Sequence, residues 1–312
     1  MAAMDEDERV LGECSPAEIA AYLRDIGDEE SAVRLERQAA RPQGQGLGAY
    51  FGRDQYLYKG LVVGFVPSDV SSRGVIRDAN AIEPETDLKG RRVKITLDQF
   101  FVQAYPGNGT HRILCEFAGQ NQIADDTEEL KFTLMVEAAD GQPTGVVGKP
   151  IFMGLTIGDD GLNFRGQTVN VGNDTDDLIL DALNGEAFKG GLTLATTLQP
   201  ALKPFVGLAT SVVKATIKRS RNKPVFKFDV GLDFNARNLS ARLRRGSYVV
   251  VQCNDEEWDW SRFEFATETR RVIRKSDGRS LELNYFVIGI DDFAGEPAKP
   301  ATKSRNRQRP SG

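Results

Sequence analysis

The chain carries one histidine, His111, and three cysteines, Cys14, Cys115 and Cys253. That inventory narrows the chemistry at once. A multi-histidine metal site is impossible, and nucleophilic catalysis could draw on a single Ser-His or Cys-His pairing. Cys115 follows His111 by four residues. On a strand both point to one face, about 13 Å apart, too far for proton transfer. His111 comes just after the turn sequence Pro106-Gly107-Asn108-Gly109, so it is expected at the surface as a bystander.

Other motifs fail on inspection. Gly145-Val146-Val147-Gly148-Lys149 has the outline of a phosphate loop, but Pro143 stands where its first glycine belongs and Pro150 where Ser or Thr would bind magnesium. Gly44, Gly46 and Gly48 follow no strand and read as a linker. Acidic groups occur near turns: Asp125-Asp126, Asp159-Asp160, Asp174 with Asp176-Asp177, and Asp291-Asp292. Sandwich loops can converge such carboxylates on calcium, yet the Asp174 group lacks the glycine and distal glutamate of an EF-hand loop, and helix capping explains it. A hydrolase using acidic residues is one reading, but nothing selects a carboxylate pair. Neither a cofactor nor a metal is expected.

Two features point to contact rather than catalysis. In Asp255-Glu256-Glu257-Trp258-Asp259-Trp260 the tryptophans have equal parity. On a strand Trp258 and Trp260 share one face, which either covers an end of the core or offers a platform to a cationic or sugar ligand. From Ala187 to Phe228 there is no acid, although acids outnumber bases overall. As a helix from Pro204 to about Arg219, this stretch places Phe205, Leu208, Ala209, Val212 and Ala215 on one side. Gly207, Ser211, Lys214 and Lys218 fall on another. Lys218, Arg219 and Arg221 suit a helix C-terminus. As strands, Leu192, Leu194 and Leu198 alternate with small or hydroxylated residues, and Val206 to Val213 does likewise. A hairpin of that kind is about as long as a membrane-crossing one. The packed helix is the expected resting state.

The elements that would position these groups are mainly β. Val93, Ile95 and Leu97 alternate with polar neighbours, and further strands are expected at 112–117, 145–157, 162–171, 225–234, 248–252 and 281–290. Asp140-Gly141, Asp160-Gly161 and Asp277-Gly278 read as hairpin turns. Ser15-Pro16-Ala17-Glu18 is a capping box that starts one helix, and Asp28 caps a second. The expected fold is therefore mainly β: an antiparallel β-sandwich of about ten strands, of jelly-roll or C2-like size. An α-helical insertion near 174–220 and a small helical N-terminus complete it. Residues 1–48 form an acidic N-terminus with a helical hairpin and Gly-rich linker, 49–294 the sandwich, and 295–312 a disordered basic tail.

Net charge is −5, which argues against a general nucleic-acid binder. The odd cysteine count, with no leader sequence in view, suggests free thiols and a cytoplasmic location. The sequence thus reads as a non-enzymatic binding or assembly protein that meets a protein partner or a second copy of itself. The contact residues would be Leu192, Leu194, Leu198, Phe205, Lys214, Lys218, Arg219, Arg221, Trp258 and Trp260. The alternative is a membrane-active effector that brings residues 190–221 to an anionic membrane.

Overall fold

The computed structural model describes residues 9–40, 54–69, 73–123, 126–172, 192–193, 202–217, 222–235, 240–254 and 257–294. The capping box forms as its spacing requires. Ser15 Oγ accepts from Glu18 N at 3.3 Å, and the Glu18 carboxylate accepts from Ser15 N at 2.6 Å. These bonds hold the Glu18 carboxyl down at about 2. Helix α1 (Pro16–Asp25) ends at Gly27, whose φ of 83° reverses the chain. Asp28 Oδ1 then accepts from Ser31 N and starts α2 (Glu29–Ala39). Ile19, Tyr22, Leu23, Ala32 and Leu35 from this hairpin are buried in the main core. Asn170 Nδ2 donates both to Tyr22 Oη (2.9 Å) and to the Pro106 carbonyl (3.1 Å), which ties the hairpin to the β body.

The described strands form three sheets. One is eight-stranded: β1 (Leu61–Pro67), β3 (Arg77–Asp78), β4 (Arg92–Val102), β7 (Gln142–Pro143), β8 (Lys149–Thr156), β10 (Leu192–Thr193), β13 (Gly246–Gln252) and β16 (Tyr285–Asp292). A five-stranded sheet faces it, in the order β12 (Ala241–Arg242), β11 (Lys223–Asp233), β9 (Leu162–Val171), β5 (Thr110–Ile123), β6 (Asp126–Ala139). A small third sheet, β15 (Arg271–Arg274), β14 (Phe263–Ala266) and β2 (Arg73–Val75), covers the far face of the eight-stranded one. The long pairings are antiparallel. The molecule is thus mainly β and sandwich-like, with a third layer that the sequence patterns do not announce.

Phenylalanines join the two large sheets. Phe286 stacks on Phe100 at 4.1 Å between ring centres, and meets Phe117 edge-on at 5.7 Å and Phe228 at 5.6 Å. Such rings bury large areas and favour offset or edge-on contacts, so this cluster is the main hydrophobic contribution at the centre.

The turn signals mark turns, but two of the three expected hairpins do something else. Asp140-Gly141 carries the chain from β6 to β7, which pairs with β4 in the opposite sheet. Asp160-Gly161 carries it from β8 back to β9, again across the sandwich. Only Asp277-Gly278 closes a local hairpin, with Leu281 N donating to the Val272 carbonyl. Gly161 has φ of 109°, and a Cβ there would lie 2.1 Å from the Leu232 carbonyl oxygen. The crossing is thus restricted to glycine by both conformation and space.

Within the basic segment the structure is helical where the helix was expected: α3 spans Leu202–Ile217. Its buried face differs from the expected one. Ala209, Val212, Val213, Thr216 and Ile217 are buried, while Ala215 is exposed. The reason is that α3 lies against both β6 and β5, and so needs a broader stripe than one ridge.

Candidate functional site

The expected contact residues fall partly within the described structure. Leu192 lies on the two-residue strand β10, parallel to β8 and paired with Phe152. Phe205 belongs to α3, and Lys214 is exposed on it. Leu194, Leu198, Lys218, Arg219 and Arg221 lie outside the described residues. The described apolar side of α3 is already buried in the main core.

Trp258 and Trp260 do not share a strand face. Asp259 caps a 3-10 turn, Trp260–Arg262, by accepting from Ser261 N at 2.8 Å. Trp260 is buried under the small sheet, while Trp258 is half-buried, parallel to Phe263 at 5.0 Å and edge-on to Trp260 at 5.2 Å. A turn capped by the intervening acid has replaced the strand, and it rotates the rings apart.

His111 is not a surface bystander. It is 4% exposed, its Nε2 lies 2.8 Å from Asp140 Oδ1, and its ring tilts against Tyr105. The sheet-crossing turn at Asp140 closes over it. Asp140 Oδ1 also accepts from Tyr105 N, so this pair pins two loops together. Cys115 is fully buried, and burial pushes its thiol far above the usual range, which leaves it unfit as a nucleophile. Cys14 and Cys253 likewise form no disulfide. Asp291 pairs with Lys94 at 3.3 Å and Asp292 with Arg245 at 2.9 Å. Among the described residues no three metal-ligating side chains come together.

The candidate site lies elsewhere, on the five-stranded sheet. Phe117 points inward to Phe286, so Glu116 and Ala118 point outward from the five-stranded sheet. Pairing then builds two outward rows. Thr133, Glu116, Gln167 and Lys227 form one; Lys131, Ala118, Arg165 and Asp229 form the next. Over them runs an open groove of about 570 Å³ that ends at Leu61. The Glu116 side chain is only 10% exposed, accepts from the Gln167 amide and faces Lys131 Nζ at 3.9 Å. Arg165 pairs with Glu129. The small Ala118 between Lys131 and Arg165 leaves the floor low.

This arrangement suits recognition better than catalysis. Two of the groove's carboxylates are paired with bases, Glu116 with Lys131 and Glu129 with Arg165. No serine, cysteine or histidine is among its described lining residues. A mixed-sign, hydrogen-bonding floor fits the polar backbone and charged side chains of a peptide segment. Of these residues the sequence patterns place Glu116, Arg165, Gln167, Lys227 and Asp229 in expected strands, but assign none of them to a site. The groove exists only once the register of β6, β5, β9 and β11 is known. Comparison with family models, curated proteins and solved structures finds no match.

Proposed function

We propose that this is a non-enzymatic binding or assembly protein whose outward groove on the five-stranded sheet receives a charged segment of a protein partner. One observation carries this reading: the groove is floored by two rows of side chains of both signs, contributed by four strands, with no serine, cysteine or histidine among its described lining residues. A rigid sheet holds these charges in fixed register, so a partner with the complementary order is favoured and others are repelled.

The test uses two forms of the immobilised full chain, the natural one and Lys131→Glu with Arg165→Glu. Both are exposed to extract from the source cell. The expected result is a protein retained by the first form and lost from the second, more readily eluted as salt rises. Equal retention by both forms, or none by either, overturns the reading.

A further inference from the structure

A second cavity adjoins the groove and shares Leu61 and Asp229 with it. It measures about 330 Å³ and opens where β1 and β3 of the eight-stranded sheet approach β11 and β12 of the five-stranded one. Arg242 N donates to the Ala79 carbonyl at 2.7 Å at this seam, so the two sheets are fastened beside the opening. Trp258, Asp78, Asn80 and Asp229 are among its lining residues.

Three properties of this lining define a ligand. First, it combines an indole ring with aliphatic groups such as Val63, so it accepts an apolar surface. Second, its polar groups are dominated by acceptors. The Asp229 carboxylate forms no ion pair or hydrogen bond among the described residues, and the Asp78 carboxylate is engaged among them only by the Asn80 backbone N at 3.0 Å. Third, Trp258 Nε1 is enclosed and has no hydrogen-bond partner among the described residues. A buried N–H without an acceptor is an unmet need, and it belongs to an indole that lines this cavity.

The charge pattern sorts the classes of ligand. An anion would meet two carboxylates, and the described lining holds no base. A cation would satisfy the carboxylates and the ring face, but it offers the indole N–H no acceptor. A molecule with many hydroxyls answers all three: its O–H groups donate to Asp78 and Asp229, its oxygens accept from Trp258 and Asn80, and its C–H face lies on the apolar wall. We infer that this seam cavity is a binding site for a neutral carbohydrate unit, distinct from the peptide-receiving groove.

The chain has two tryptophans, and only Trp258 lines this cavity, so a ligand-dependent change in intrinsic fluorescence reports on it first. The full chain is titrated with glucose, galactose, mannose, N-acetylglucosamine and their short oligomers, with sialic acid and tetramethylammonium as charged controls. A saturable change with at least one neutral sugar in the millimolar range is expected. Trp258→Phe, read by calorimetry, keeps a ring but not the N–H, and Asn80→Ala removes the amide; each is expected to weaken binding about tenfold. Both residues line this cavity and not the groove, so their effects are separable from loss of the partner. Should Trp258→Phe fail to fold, Asn80→Ala, with its melting temperature checked, decides alone. No neutral sugar bound up to tens of millimolar, binding unaltered in the folded variants, or tetramethylammonium bound in preference each overturns the proposal.

Discussion

Two rows on the same face of the same sheet behave in opposite ways. Leu114, Met135 and Val169 pair across β5, β6 and β9, and Ala118, Lys131 and Arg165 pair across the same strands about 13 Å further along. Leu114 and Val169 are fully buried outward-facing residues, in the same core cluster as the α3 residues Ala209, Val212, Val213 and Ile217. The second row is open and forms the groove. Backbone and strand order are identical, so side chains alone decide which half of the face receives a helix. The eight-stranded sheet repeats the division. Phe101, Tyr285, Val249 and Val287 lie beneath the small sheet, while Thr96, Asp98 and Ser247 form a polar patch on the same face. Covering layers here follow apolar rows and stop where those rows stop.

The comparison can be broken most directly at Leu114. Leu114→Ala is expected to cost about 2–5 kcal/mol in denaturant unfolding, since the cavity would lie between sheet and helix. A cost below about 0.5 kcal/mol would mean that α3 does not seal this row. On the helix itself, Val213→Ala is expected to cost about 2 kcal/mol and Ala215→Glu under about 0.5. The reverse ranking would restore the helix face read from sequence.

The polar patch of the other sheet offers a pH test. Burial raises the Asp98 carboxyl above its ordinary value, despite donation from Thr96 Oγ1 at 2.7 Å. A raised folded-state value means that its contribution is fully present below the unfolded pKa and is lost as pH rises through the folded one. Asp98→Asn should therefore gain melting temperature relative to the natural chain as pH rises above about 4. A constant difference between the two from pH 3 to pH 7 would contradict this. The smallest effect belongs to the open row. Arg165→Ala, half-exposed and in a surface pair, should change stability by no more than about 1 kcal/mol in the same unfolding assay, while weakening partner retention. A large stability loss there would erase the distinction between the rows.

Local signals in the sequence were reliable where the physics is local. The Ser15 capping box, the Gly27 stop, the Asp28 cap and the alternation at Val93-Ile95-Leu97 all appear as read. Strand β6 was missed because Leu130–Val136 is shielded on both faces, one by the core and one near α3, which removes clean alternation. His111 was misplaced because its cover comes from a turn almost thirty residues later. The Trp258–Trp260 step failed because Asp259, read as a residue between two rings, acts as a cap. The groove was illegible for a different reason: its rows join residues 116, 131, 165 and 227, and only register brings them together.

The sheet-crossing turns bear on how the molecule assembles in time. Because Pro106–Gly109, Asp140-Gly141 and Asp160-Gly161 each pass the chain between layers, neither large sheet is a continuous stretch of sequence. Strands β5, β6 and β9 pair among themselves, but β11 and the strands of the eight-stranded sheet need partners far off in sequence. Loop-closure entropy must be met across many distant pairings before they reinforce one another, so folding is expected to be slow for this length. Loss of either layer in a truncated chain should then abolish both cavities together.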